Sequence, residues 1–194
     1  MKGRTAATFE RAITWVPIWD PSRRGQGMEH LLLGERVADS VMVAFDENGV
    51  PYRMSYRLRW DAAWHVRSAR VEVRTEGGVN SLTLRSDGAG NWRNAEQQEL
   101  SELRGAIDVD IWPTPFTNTF PIRRLGTQLR KRHLIDVAWI GAPQLSLLRQ
   151  PQAYTRIAEG LYRFESTDTG FTAELPVDEQ GIVLDYPGLF ERTS

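Results

Sequence analysis

The sequence contains no cysteine, which excludes a disulfide framework and any metal site built on thiolates. It also lacks an apolar run of about 18 residues, the length that a membrane-spanning helix requires. The N-terminal segment MKGRTAATFERAITW has early cations but no apolar stretch before Glu10 and Arg11, which argues against a secretory signal. These absences favour a cytoplasmic protein without a membrane-spanning segment.

An excess of charge of either sign is also missing, because 24 Lys and Arg residues nearly balance 25 Asp and Glu residues. Nonspecific nucleic-acid binding depends on the neutralisation of phosphates, and the chain as a whole has no excess of cations for it. The local cluster Arg130-Lys131-Arg132 is more typical of a solvated turn. We therefore expect no nucleic-acid partner. The sequence carries no signal for one oligomeric state over another.

Catalytic and metal-binding motifs are scarce. His30, His65 and His133 are scattered without HxH or HExxH spacing, so no metal site is expected. The nucleophile motif GxSxG is absent. The glycines in residues 87–91 match neither a GxxxxGK[ST] nor a GxGxxG pattern, so this segment is predicted to be a hairpin turn and no cofactor is expected.

Alternation with a period of two is the dominant pattern. In residues 52–60 the even positions are apolar or aromatic and the odd positions are polar, which predicts a strand with one apolar and one cationic face. Residues 37–45 alternate in the same way, and residues 64–75 change phase near Ser68, which indicates a bulge. Ten or more such segments, separated by turn signals, predict a mainly β, antiparallel barrel or sandwich. At this length, residues 1–194 fit a single domain.

One or two short helices are expected beside the strands. Residues 94–104 are rich in Glu, Gln and Leu and are followed by Gly105, which is typical of a short helix and its end. A second helix is predicted to begin near Pro121, because proline suits the first turn of a helix.

The stretch IDVDIWPTPFTNTFPIRRL, residues 107–125, combines charges of both signs with rings, hydroxyl groups and an amide. Asp108 and Asp110 are two residues apart on a predicted strand, so their Cα atoms lie ~6.7 Å apart on one face. That spacing resembles the carboxylate separation of inverting glycosidases, about 6.5–9.5 Å. Three roles remain open for these acids: structural pairing with Arg57, Arg123 or Arg124, ligand binding, and catalysis.

The adjacent cations Arg123 and Arg124 can form a buried ion network or grip an anionic group in bidentate fashion. Because successive helical residues differ by about 100° in direction, only one of the two is expected to face a cavity.

The seven tryptophans are an unusual feature of the composition. They can fill the core, or they can line a largely apolar pocket for a sugar or an acyl chain.

Three segments resemble a glycolipid-binding family of bacterial proteins. They are DVDIWPTPFTNTFPIRRLG at residues 108–126, YRLRW at 56–60 with WHVRSARV at 64–71, and VLDYPGLFER at 183–192. Their order and spacing agree along nearly the whole chain. The sequence departs from the family pattern at Trp112 and Phe120, where smaller or aliphatic residues are expected.

The resemblance implies an unclosed β-barrel, similar to the carriers of bacterial lipoproteins, with a concave apolar interior that could hold a lipid tail. Matched position by position, the family motifs imply ligand-binding roles for Asp108, Asp110, Thr114, Asn118, Arg123, Arg124 and Tyr186. The aromatic residues along the predicted groove are added to this set; they are Tyr56, Trp60 and Trp112.

The sequence thus favours a protein that binds or carries an amphiphile, with a glycolipid as the candidate ligand, in an apolar groove with a polar rim. Within this hypothesis Tyr56, Leu58 and Trp60 would contact the acyl part, and Asp110, Asn118 and Arg123 would bind the polar head. Two alternatives remain. One is an enzyme of glycolipid or sugar metabolism that uses an aspartate as acid or base. The other is a protein–protein interaction module that uses an exposed sheet edge.

Overall fold

The computed structural model describes residues 8–194, which form two β-sheets, one continuous helical segment and two isolated 3-10 turns. In chain order the strands are β1 (Arg11–Pro17), β2 (Met28–Gly34), β3 (Val37–Phe45), β4 (Pro51–Trp60), β5 (Val66–Thr75), β6 (Gly78–Ser86), β7 (Trp92–Arg93), β8 (Asp108–Trp112), β9 (His133–Gly141), β10 (Ser146–Ala158), β11 (Leu161–Ser166), β12 (Thr172–Pro176), β13 (Asp185–Tyr186) and β14 (Phe190–Arg192). The larger sheet has the order β13-β14-β1-β2-β3-β4-β5-β6-β7, and the smaller has the order β12-β11-β10-β9-β8.

The larger sheet is strongly curled into a half-barrel that does not close. All of its strand pairs are antiparallel. This confirms the predicted mainly β fold with an unclosed barrel. The smaller sheet contains a parallel pair, since β8 runs alongside β9 with Asp108 opposite Val137. A parallel pair requires a long crossover rather than a hairpin, and the helical segment between β8 and β9 provides it.

The period-two pattern predicted the strands of the half-barrel correctly. On β4 the five even-numbered side chains point into the core and are at most 5% exposed, whereas Arg53 and Arg59 are exposed. The predicted bulge is also present. Arg59 pairs with Ser68 but Trp60 pairs with Val66, so that one extra residue lies on β5.

The helical prediction is confirmed in one place and wrong in the other. A continuous helical segment contains a 3-10 turn at Phe116–Asn118, helix α1 at Thr119–Leu125, and a second 3-10 turn at Gly126–Arg130. Residues 94–104 instead form turns and a 3-10 turn at Ser101–Leu103. In that region the backbone pairs across space: Leu100 N–H donates to Trp92 O at 2.9 Å, and Arg93 bridges to Glu99. These pairings outweigh the helix-forming composition.

The interior of the half-barrel is filled, contrary to the concave cavity that was expected. The two sheets and the helical segment share one core of buried side chains. From the helical segment, Phe116 and Phe120 are both fully buried, and their ring centroids lie 6.2 and 5.4 Å from that of Trp60. These large rings occupy the space that a lipid tail was expected to fill.

No helix within residues 8–194 is long and apolar enough to cross a membrane.

Candidate functional site

Asp108 and Arg124 form a buried ion pair that joins β8 to α1. Arg124 Nε and Nη2 donate to the two carboxylate oxygens of Asp108 at 3.0 and 2.5 Å. Burial raises the pKa of Asp108, while the hydrogen bonds and charge of Arg124 act in the opposite direction. The structural pairing that the sequence left open is thus the observed arrangement for this acid.

Asp110 has neutral partners instead of a cation. Its Oδ1 accepts from Thr117 Oγ1 and its Oδ2 accepts from Gln152 Nε2, each at 2.7 Å. Desolvation raises the pKa of Asp110, and these hydrogen bonds oppose the rise. Both oxygens of both predicted acids therefore have hydrogen-bond partners within the protein.

The amide of Asn118 holds the loop after β8 in place. Its Oδ1 accepts from Tyr154 OH at 2.9 Å, and its Nδ2 donates to the carbonyl of Pro115 at 3.2 Å. Tyr186 is also enclosed, with its ring centroid 6.2 Å from those of Phe164 and Phe171. Its burial raises the pKa of the phenol well above the usual range. These groups are part of the packed interior.

Glu29 is a buried acid that the sequence analysis missed. Its Oε1 accepts from Ser40 Oγ at 2.8 Å, from Tyr56 OH at 2.6 Å and from Thr114 Oγ1 at 3.0 Å. Its Oε2 has no hydrogen-bond partner among the described residues. Desolvation raises the pKa of Glu29 to about 7, although the three hydroxyl groups counteract it. The sequence did contain a signal for the burial of Glu29. Glu29 and Leu31 are two residues apart on β2, so their side chains point to the same, buried face of the strand.

An open groove of about 420 Å³ lies where β2 and β4 end; we call it the tryptophan groove. Its lining residues are Glu10, Arg11, Leu33, Gly34, Glu35, Trp60, Trp64, Phe116, Arg123, Gln180 and Ile182. Trp60 and Trp64 are stacked, with their centroids 5.3 Å apart at an angle of 17°. The guanidinium of Arg123 lies 5.0 Å from the Trp64 ring centroid. The groove therefore combines an apolar floor with a polar rim that carries charges of both signs.

A second cavity, of about 540 Å³, lies at the other end of β4. It is lined by Trp19, Asp20, Phe45, Asp46, Glu47, Tyr52, Trp112, Ala142, Pro143 and Gln144. Trp112 is 37% exposed there, and its ring centroid lies 5.8 Å from that of Trp19. Tyr52 and Trp60 are eight residues apart on one strand, or about 27 Å, so the two cavities are separate.

The structure distributes the ten predicted binding residues over several places. Trp60 and Arg123 line the tryptophan groove, and Trp112 lines the second cavity. Arg124 borders a further cavity, beside His133. The expectation that only one of the two adjacent arginines faces a cavity is therefore wrong, because Arg123 and Arg124 each face a different cavity. The residues enclosed in the protein are Tyr56, Asp108, Thr114, Asn118 and Tyr186, and Asp110 is partly buried with both of its oxygens bonded to protein groups. Ligand contact by these six stays a prediction.

Within the described part of the chain, no group of three or more His, Asp or Glu side chains is arranged to hold a metal ion.

Comparison with known proteins agrees with this fold. The crystal structure of a DUF1089 family protein from Pseudomonas aeruginosa matches with a TM-score of 0.83 and 47% sequence identity, over 86% of this chain and 92% of that one. No curated protein matches the chain at a significant level. A model of the family described as "Putative glycolipid-binding" matches residues 16–192, which is nearly the whole chain. The chain therefore belongs to that family.

Proposed function

We propose that the protein binds an amphiphile in the tryptophan groove, with a glycolipid as the candidate ligand. The observation that carries this proposal is the position of Arg123. Its side chain is exposed on the rim, lies over Trp64, and makes no ion pair with any residue from 8 to 194. The family description supports the same ligand class. The cytoplasmic location stays a prediction.

The apolar part of the ligand would lie against the partly exposed Leu33 and Trp64, above the buried rings of Trp60 and Phe116. These side chains line the groove floor and belong to the core or pack against it. Each methylene group that leaves water there would contribute about 0.8 kcal/mol. A volume of about 420 Å³ is within the range of small-molecule pockets, roughly 300–1,000 Å³.

The polar head would be held at the rim by Arg123, Gln180 and Glu10. Arg123 offers several N–H donors in a fixed planar arrangement. The Oε1 of Gln180 already accepts from Arg11 Nη1 at 3.0 Å, which leaves its amide N–H groups as donors. Glu10 provides an acceptor. Donors and acceptors side by side match the hydroxyl groups of a sugar, which both donate and accept.

An acid–base reaction at Asp108 or Asp110 is not part of this proposal. Both carboxylates are bonded to neighbouring side chains through both oxygens, and neither lines the tryptophan groove. Binding is therefore favoured over catalysis as the role of the groove.

The proposal is tested by titrating the protein with a short-chain alkyl glucoside below its micelle concentration, followed by tryptophan fluorescence. We expect the signal of Trp60 and Trp64 to change with the glucoside and to change far less with glucose or the matching alcohol alone. Arg123→Ala should weaken binding about ten-fold to a hundred-fold, because hydrogen bonds to charged groups contribute about 1.5–3 kcal/mol. Arg130→Ala, an exposed position outside the groove, is the matched control and should bind normally.

Two outcomes would count against the proposal. If neither the titration nor native mass spectrometry after mild purification reveals a bound amphiphile, the groove does not bind one. If Arg123→Ala and Arg130→Ala bind the glucoside equally well, Arg123 does not hold its head.

A further inference from the structure

The outer face of the half-barrel is strongly cationic along three neighbouring strands. Strands β4, β5 and β6 carry seven arginines and one glutamate, although the whole chain has a net charge of −1. We call the outward side of these three strands the arginine face. Arg53 on β4 lies directly opposite Arg74 on β5, and Arg57 lies opposite Arg70. Like charges in directly opposed positions destabilise a sheet.

Few carboxylates compensate for this charge. Arg57 Nη1 bonds to Asp39 Oδ2 at 2.9 Å, Arg74 pairs with Glu72 at 2.7 Å, and Arg67, the extra residue of the β5 bulge, lies 3.6 Å from Asp61. The remaining arginines on the strands' outward positions form no ion pair with other described residues; they are Arg53, Arg59, Arg70 and Arg85. A cationic surface therefore remains without an internal partner.

Apolar side chains continue this surface in the same row of the sheet. The register places Met28, Val43, Arg53, Arg74 and Val79 in line across strands β2 to β6. Met28 is 50% exposed, Val43 is 38% exposed and Val79 is 53% exposed. The two central arginines are thus flanked on both sides by exposed aliphatic or thioether groups.

We propose that the arginine face docks on the surface of an anionic phospholipid bilayer. Cations near such a surface are attracted by its negative potential, and the flanking side chains can bury their apolar atoms at the boundary between headgroups and acyl chains. A single-stranded nucleic acid fits less well, because the outward positions of the three described strands present no aromatic ring on which a base could stack. The inference is independent of the ligand in the tryptophan groove.

Flotation with lipid vesicles tests this assignment on the full chain. The probe is a vesicle of phosphatidylcholine and phosphatidylglycerol in equal parts, compared with phosphatidylcholine alone, at low and at high salt. We expect binding to the anionic vesicle at low salt and its loss at high salt, because screening weakens the attraction. The variant Arg53→Gln/Arg74→Gln should bind about twenty-five-fold more weakly, which is about five-fold for each arginine near the surface.

The matched control is Arg104→Gln/Arg130→Gln, which removes the same charge from exposed positions outside the arginine face. It should float with the anionic vesicles almost as well as the unmodified protein. Circular dichroism of each variant verifies the fold. The proposal is overturned if neutral and anionic vesicles are bound equally, if neither is bound, or if the control loses as much affinity as the test variant. Preferential binding of a single-stranded oligonucleotide at the same salt would also overturn it.

Discussion

Glu29 is enclosed among three hydroxyl groups, with all three donating to one of its two oxygens. The other oxygen has no partner in residues 8–194, and no cation is paired with the group. The ionised form is therefore poorly solvated, which raises the pKa to about 7 from an ordinary value of 4.5. The folded protein binds this proton more tightly than the unfolded chain does.

It follows that the free energy of unfolding should fall as the pH rises from 4.5 to about 7. Glu29 alone should account for a decrease of roughly 3 kcal/mol. Glu29→Gln cannot titrate, so its unfolding free energy should depend less on pH in this window. Urea unfolding at several pH values measures the difference between the two proteins. Burial also raises the pKa values of Asp108 and Asp110, but those contributions are common to both proteins.

Glu159→Gln, a change of the same chemistry at an exposed position, is the control for this prediction. A Glu29→Gln protein with the same slope as the unmodified protein would show that this carboxyl group does not change its proton affinity on folding.

Single residues could be predicted from the sequence only in part. Pairing of Asp108 with an arginine was among the expected roles, because opposite charges were close along the chain. Glu29 was missed, since Ser40, Tyr56 and Thr114 come from β3, β4 and the loop after β8. The phase of Glu29 on β2 indicates burial, but the sequence does not show which distant hydroxyl groups meet it.

Among the secondary structure elements, hairpins were predicted well and long-range pairings were not. The strands of the half-barrel alternate clearly, because one face meets the core and the other meets water. Strand β8 is paired in parallel after a crossover, and residues 94–104 are held by contacts with β7. Neither arrangement has a local pattern, so composition alone suggested a helix for the second.

The predicted hairpin turn at residues 87–91 is confirmed and is locked against the chain near residue 105. Gly105 N–H donates to Gly90 O at 2.9 Å. A Cβ atom on Gly90 would lie 2.9 Å from Gly105 Cα and 3.0 Å from its carbonyl carbon. Both glycines have positive φ, 88° at Gly90 and 90° at Gly105, but a Cβ on Gly105 would meet only a flexible Arg149 nitrogen at 4.0 Å.

We therefore expect Gly90→Ala to destabilise the protein more than Gly105→Ala does. Both substitutions incur backbone strain on the order of 1–3 kcal/mol, and only the first also forces two backbone segments apart. Chemical denaturation of the two variants gives the comparison directly. Equal losses of unfolding free energy would mean that the close approach of the two segments does not matter for stability.

Positive and negative charges nearly cancel over the whole molecule, but many of the positive charges are concentrated on one face. The arginine face concentrates cations that repel one another across β4 and β5. Such an arrangement favours binding to an anionic partner over the stability of the free protein. The amino-acid composition showed that the net charge is close to zero. It did not show that the arginines lie together, because that depends on the register of the strands.

Removing one of the two opposed cations should consequently stabilise the protein. Arg53→Gln is expected to raise Tm by about 1–3 °C at low salt, because relief of a directly opposed like-charge pair is worth a fraction of a kcal/mol and the Arg74–Glu72 ion pair stays intact. The gain should shrink at high salt, where the repulsion is screened. Differential scanning calorimetry provides the measurement, with Arg130→Gln as the control. A lower Tm for the test variant at low salt would show that the opposed arginines do not repel appreciably.

The chain between β8 and α1 runs through the filled interior from one cavity to the other. Trp112 borders the second cavity, Thr114 bonds to Glu29 in the middle, and Phe116 borders the tryptophan groove. One five-residue segment therefore contributes to the walls of both openings, an arrangement that a tube walled by strands alone would not have.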